Sequence, residues 1–406
     1  MTSSWFKLPP FSCLLIWSGF WGLSLPAVHG QLIEPAACDL QKTDEAIDFE
    51  RARELLGKLR VGERLTADEQ AYLDRARAAR RAAQPRVNQP AADGSVPGAK
   101  RSTQQRVVDT SSLQPLTQLT ANDRYQDEDG GLYGGGQNAP PQKHRAAALA
   151  ALAAIQPRAA DGQPAPEGRV VLVSISMSNA TQEFSTFKRL ADSDADKSSQ
   201  LTIVDCAQGG QAMAQWAAPQ AGCWQEAAKR IEAAGVSPAQ VQVAWIKLAN
   251  MSPRGSLHEH GKPLQSDTQK VVQIAKQRFP NLAIIYLSSR VYGGYAVGNL
   301  NPEPYAYESA FAARWLIQQQ LAGDAALNYD LRRGELKAPL LLWGPYLWAN
   351  GTTPRDADGL VWNRDDFMAD GVHPSSSGRE KVAGLLLRFF KQDPLAASWF
   401  VQRTGK

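Results

Sequence analysis

Val170-Val171-Leu172-Val173-Ser174-Ile175 runs directly into Ser176-Met177-Ser178-Asn179, and then into a segment carrying Phe184, Phe187 and Leu190. A short, almost continuous apolar run rich in β-branched residues reads as a strand buried on both faces. The spacing after the serines reads as a helix. The same alternation recurs downstream. Apolar runs at Leu201–Cys206, Val241–Ile246, Leu282–Leu287 and Leu340–Trp343 are separated by helical patterns such as Trp224–Ala234, Asp267–Phe279 and Ala306–Leu321. Strand, helix, strand at this spacing predicts an α/β fold with a parallel sheet covered on both faces. Ligands of such sheets bind beyond the carboxyl ends of the strands. The residues just after each strand are therefore the candidates for chemistry.

Ser178 stands at the turn from the first strand into a helix, where N-terminal amides favour developing negative charge. Serine is also a common helix cap, so this position alone decides nothing. After the second strand, Gly209-Gly210 permits a sharp turn that presents a backbone N–H. After the third strand, Asn250 brings a side-chain NH₂ to the same edge. Near the C-terminus stands Asp370-Gly371-Val372-His373-Pro374. Asp and His three apart on one loop can set an imidazole over a nucleophile while the carboxylate fixes its tautomer.

Serine, glycine, asparagine, then Asp-x-x-His, in that chain order, resembles the SGNH (GDSL-like) hydrolase superfamily. Gly-Gly-x-x-x-x-x-Trp after the second strand, Gly209 to Trp216, is similar to its carbohydrate-esterase and sialate-acetylesterase branches. The resemblance spans residues 165–392. It implies a three-layer α/β/α sandwich (SGNH/flavodoxin-like) with a five-stranded parallel sheet. It also implies Ser178 as nucleophile, His373 as general base and then acid, and Asp370 as its orienting partner. Gly210 (or Gly209, one register away), Asn250 and the Ser178 amide would be the oxyanion donors. Two positions depart from the family pattern: Ser176-Met177-Ser178 replaces Gly-Asp-Ser, and Leu248 replaces the glycine before the asparagine.

The loops Ser289–Tyr295, Asn301–Tyr305 and Trp343–Trp348 are rich in aromatics and carry Arg and Asn, a composition suited to a sugar, whose C–H faces stack on rings. Asn179, Arg290 and Tyr292 are candidate substrate contacts. The expected substrate is an acylated glycan or another small ester. A catalytically inactive glycan-binding module is the alternative, and a scaffold protein whose function lies in residues 43–83 is another. No cofactor is expected: Gly130–Gly136 follows no strand and has neither dinucleotide nor P-loop spacing. His258-Glu259-His260 offers half a metal site without a third ligand, and His144 lies in a polar stretch.

Composition sets the outer bounds. The chain has 406 residues, 43% hydrophobic and 21% charged, with a formal net charge of +4. That length builds a large core, and the near balance of charge gives no field for nucleic acid. Lys7, the apolar run Cys13–Leu25 and the small residues ending at Gly30 read as a cleavable signal peptide over residues 1–30. The expected location is secreted or periplasmic, with no stable membrane insertion after cleavage. Residues 31–83 read as a small helical hairpin with a Thr66–Glu69 capping box. Residues 84–112 read as a basic, Pro/Gln-rich linker and a candidate surface for an anionic cell-wall polymer, and residues 113–406 as the hydrolase-like domain. Cys206 and Cys223 are close enough in sequence to pair outside the cytoplasm, or to be two buried thiols.

Overall fold

The computed structural model describes residues 51, 52, 55, 65–82 and 109–402. The expected signal peptide over 1–30 and most of the expected linker over 84–112 lie outside the described residues. The chain divides into two compact units, residues 1–99 and 100–406.

In the first unit, α1 (Ala67–Ala82) starts at the expected capping box. Thr66 N–H donates to Glu69 Oε2 and Glu69 N–H donates to Thr66 Oγ1. Leu73, Tyr72 and Ala76 on this helix bury against Ala52 and Leu55. The remainder of the hairpin's first helix falls outside the described residues.

The second unit is an α/β sandwich. Its elements are α2 (Gln142–Ala153), β1 (Val170–Ile175), α3 (Ser178–Asp192), β2 (Leu201–Val204), α4 (Gly222–Ala233), β3 (Val241–Lys247), α5 (Leu257–Arg278), β4 (Ile284–Ser288), α6 (Tyr305–Leu321), β5 (Leu340–Trp343) and α7 (Ser376–Gln392). The five strands form one all-parallel sheet in the order β2-β1-β3-β4-β5. Alternate residues serve opposite layers, because side chains switch faces along a strand. Val171, Val173 and Ile175 pack with Trp224, Ile231, Val271 and Phe311 of α4, α5 and α6. Val170 and Leu172 pack with Leu152, Phe184, Phe187 and Phe390 of α2, α3 and α7. Phe184 stacks on Trp245 of β3 at 5.5 Å, and Phe187 meets Phe390 at 5.4 Å. Each such ring contributes about 1.5–3 kcal/mol of burial.

Several bounds depart from the sequence expectation: β3 runs one residue further, to Lys247, and β4 spans Ile284–Ser288 rather than Leu282–Leu287. β2 stops at Val204 rather than Cys206, because the Cys206 and Ala207 amides donate to Ser174 Oγ instead of continuing the ladder. Helix α5 begins at Leu257, ten residues before the expected Asp267. Ser256 and Glu259 cap it reciprocally, and that start carries the helix through Gly261 and Pro263, two residues that read as breakers. Cys206 and Cys223 are two buried free thiols.

β1 leads on to β2 on one side, the chain then crosses over β1 to β3, and β3 leads on to β4 on the other side. The strand order therefore reverses between β1 and β3, and a crevice opens there beyond the strand ends.

Candidate active site

Ser178 occupies the first position of α3. Met177 before it is extended, at φ −98° and ψ −171°, so the helix starts abruptly and the Ser178 amide is among those without an intrahelical acceptor. Ser178 Oγ lies 2.8 Å from His373 Nε2, and His373 Nδ1 lies 2.5 Å from Asp370 Oδ2. The other Asp370 oxygen accepts from the Val372 and His373 amides at 3.0 and 2.9 Å. Partial burial pushes the Asp370 carboxyl upward, but the imidazole and the two amides outweigh it and hold the group below the ordinary carboxylate range. An ionised Asp370 accepts the Nδ1 proton, which leaves Nε2 as an acceptor facing the serine hydroxyl.

The loop carrying this pair is held on several sides. Phe367 bridges to Pro374, Met368 N–H donates to the His373 carbonyl, and Val297 N–H donates to the Asp370 carbonyl. Gly371 sits at φ +67°, and a Cβ there would lie 1.7 Å from the Tyr295 carbonyl oxygen. Gly371→Ala is expected to push the loop off its support at a cost of about 1–3 kcal/mol. Displacing His373 by about 1 Å should lower kcat/KM for p-nitrophenyl acetate about 10²-fold. Steady-state kinetics with a parallel thermal melt would check both effects.

The remaining sequence-predicted residues converge in part. Ser178, Asn179, Gly210, Asn250, Arg290 and His373 all border one cavity of about 290 Å³. Gly210 adopts φ +75° in the turn closed by Gln211 N–H to the Gln208 carbonyl, and space for a side chain there is open. A Cβ on Gly209 would instead touch Ser178 Cβ at 4.0 Å. Asn250 is fixed on both sides: Oδ1 accepts from Ala214 N–H, and Nδ2 donates to Asp267 Oδ2, each at 2.8 Å. One N–H of its amide is thereby held, and a second is left for the cavity.

Two candidate substrate contacts have other work. Asn179 is buried and donates through Nδ2 to the Val372 carbonyl at 2.6 Å, so it ties the serine's helix to the histidine's loop. Tyr292 is not at the cavity. Its ring packs edge-on against Tyr295 at 5.1 Å, and its hydroxyl shares a hydrogen bond with Thr110 Oγ1. The aromatic rim is largely core as well. Trp343, Tyr346 and Trp348 are buried, and their polar atoms bond to Leu132, Leu116 and Glu303. Their indole and phenol groups find partners inside, as large aromatics with one polar handle do. His258 stacks on Trp315, His260 bonds to Glu308 Oε2 at 2.5 Å, and His144 bonds to the Leu341 carbonyl at 2.7 Å.

Sequence reasoning misses the ion pair behind the site. Lys247, the last residue of β3, donates to both oxygens of Glu183 on α3 at 2.6 and 2.7 Å, and neither side chain is exposed. Burial drives the Lys247 ammonium down to about 8, against the favourable field of Glu183. The available signals are a lysine closing an apolar strand and a glutamate beside Phe184 on the helix's buried side.

No protein-family model and no curated protein sequence matches the chain. Among solved structures, a protein from Arabidopsis thaliana aligns at 13% identity and a TM-score of 0.30, over 50% of this chain and 64% of its own. This chain thus covers just under two thirds of that relative. A Bacteroides fragilis protein provisionally designated an acylhydrolase aligns at 13% identity and 0.31, over 60% of this chain and 93% of its own. The periplasmic domain of a lipopolysaccharide acetyltransferase from Salmonella ser. Paratyphi A aligns at 14% and 0.30, over 54% and 82%.

Proposed function

We propose that this chain is a serine esterase that removes a small acyl group, an O-acetyl group above all, from a carbohydrate outside the cytoplasm. The observation that carries the reading is the unbroken Ser178–His373–Asp370 hydrogen-bond chain, with links of 2.8 and 2.5 Å, at the crevice between β1 and β3. The extracytoplasmic location rests on the signal-like residues 1–30. The 290 Å³ cavity has apolar walls at Leu300, Met251 and Val372, and polar groups at Asn250, Asn301 and Arg290. That mixture suits a compact acyl group on a polar alcohol.

In this mechanism Ser178 Oγ bonds to the ester carbonyl carbon as its proton passes to His373 Nε2. The carbonyl electrons move onto oxygen, where the Ser178 and Gly210 amides and the second Asn250 N–H are the candidate donors. Collapse breaks the bond to the alcohol, which leaves with the His373 proton. Water then attacks the acyl-serine, gives its proton to the same nitrogen, and the acid departs as Ser178 recovers its hydrogen. Each oxyanion donor contributes about 10²–10³ in rate.

A fluorophosphonate probe tests the nucleophile directly. The expected result is a single adduct on the peptide containing Ser178, abolished in His373→Ala. No adduct, together with background ester hydrolysis, would instead support an inactive glycan-binding module.

A further inference from the structure

Asn250 follows β3 and borders the reaction cavity, and its main chain is secured independently of its side chain. Met213 N–H donates to the Ala249 carbonyl at 2.9 Å, and Asn301 Nδ2 donates to the Asn250 carbonyl at 2.8 Å. What such a loop leaves free is the side-chain amide, whose last torsion is broad and two-fold. Two groups from different elements close it. Ala214 N–H donates at 2.8 Å and so fixes Oδ1 on its own side. Asp267 Oδ2, from the middle of α5, accepts from Nδ2 at 2.8 Å. One contact would fix a point. Two contacts at opposite ends fix the amide plane, and with it the direction of the second Nδ2 hydrogen.

An aspartate has a drawback in this place. A negative charge behind the amide repels the one that would develop in front of it. Stability does not account for the carboxylate either. Its side chain is 19% exposed, its other oxygen lies 3.6 Å from Lys270 Nζ, and that ammonium is largely in solvent. An exposed pair of this kind adds little to the fold. What the carboxylate does supply is a charge-assisted hydrogen bond, about twice as strong as a neutral one, which holds the amide against rotation. We propose that Asp267 is a positioning residue: it clamps Asn250 so that one amide hydrogen stays aimed at the oxyanion formed when Ser178 attacks the ester. This rests on the serine-esterase reading of the same cavity. It adds to that reading a residue outside the cavity, on a helix that carries none of the reacting groups.

The test is a double-variant cycle on the full chain with p-nitrophenyl acetate. Asn250→Ala should lower kcat by about 10²–10³, the contribution of one oxyanion donor. Asp267→Ala should lower it by about 10², with KM and the thermal melt almost unchanged. Asp267→Asn keeps an acceptor without the charge and should bring kcat back to within about tenfold of wild type. In the Asn250→Ala background, Asp267→Ala should have no further effect, because no amide is left to hold. An aspartate needed only for the fold would still lower kcat there. Additive losses, a loss confined to KM, a melt that falls in step with kcat, or full activity in Asp267→Ala each overturns the assignment. The side-chain NH₂ resonances of Asn250, identified by their absence in Asn250→Ala, separate the clamp from the esterase reading. In wild type they should be protected from exchange with water, and in Asp267→Ala they should lose that protection. If wild type turns over no ester, the esterase reading fails and these resonances alone decide the clamp. Protection lost in Asp267→Ala upholds it, and equal exchange in the two proteins overturns it.

Discussion

Ser178→Ala should lower kcat for p-nitrophenyl acetate by about 10⁴–10⁶ while leaving the melting temperature almost unchanged. The hydroxyl is half-buried and bonds chiefly to His373 Nε2, so its loss removes the bond-forming atom without opening a core cavity. His373→Ala should cost about as much, and the double variant little more, because in the proposed mechanism the two residues act as one unit. A residual rate about 10³ above water should survive in all three from the oxyanion donors and binding alone. Initial-rate assays at matched concentration decide this. A loss below tenfold in Ser178→Ala would mean that another group attacks the ester.

The second large effect is on stability. Glu183→Gln leaves the Lys247 ammonium in a site with no exposure and no counter-charge, and should destabilise the second unit by about 3–5 kcal/mol. Replacing both partners together, as Glu183→Leu with Lys247→Met, should recover most of that loss, since an apolar pair carries no desolvation cost. The pH dependence has a definite sign. Lys247 has a folded pKa near 8, below its ordinary value of 10.5, so the unfolded chain binds the extra proton between those limits and stability rises with pH there. Without Glu183 the folded amine gives up its proton at still lower pH. The deficit of Glu183→Gln should then shrink by about 1.4 kcal/mol per pH unit as pH rises to about 8, and level off above it. Denaturant melts at pH 7 and pH 9 measure it, and a deficit independent of pH would refute the buried-charge account.

The sheet and the proximity of Ser178, His373 and Asp370 are legible in the residues for different reasons. Fully buried parallel strands must be apolar throughout, so Val170–Ile175 and Leu340–Trp343 announce themselves with their observed bounds. Asp370 and His373 are legible because the orienting carboxylate and the imidazole share one short loop. The ion pair is not, since Lys247 and Glu183 are 64 residues apart and only the packing of α3 on β3 joins them. Tyr292 and Trp348 mislead because an aromatic in a loop after a strand fits a binding wall or a core equally well, and internal acceptors decide for the core. Helix α5 reads short because Gly261 and Pro263 are poor helix formers in isolation, whereas the Ser256–Glu259 cap and packing outweigh them.

Ser178 and His373 are 195 residues apart, and the helix after the histidine, α7, is also the cover for the apolar face of α3. This linkage has a meaning for biogenesis. On the proposed mechanism, a chain still being synthesised carries Ser178 long before it carries His373, so the reaction would await emergence of the C-terminal segment. The same delay leaves Phe184 and Phe187 without Phe390, an uncovered aromatic patch of the kind that makes incomplete chains prone to aggregate. Covering that patch and completing the Ser178–His373 pair both depend on one late docking event, that of α7 on α3.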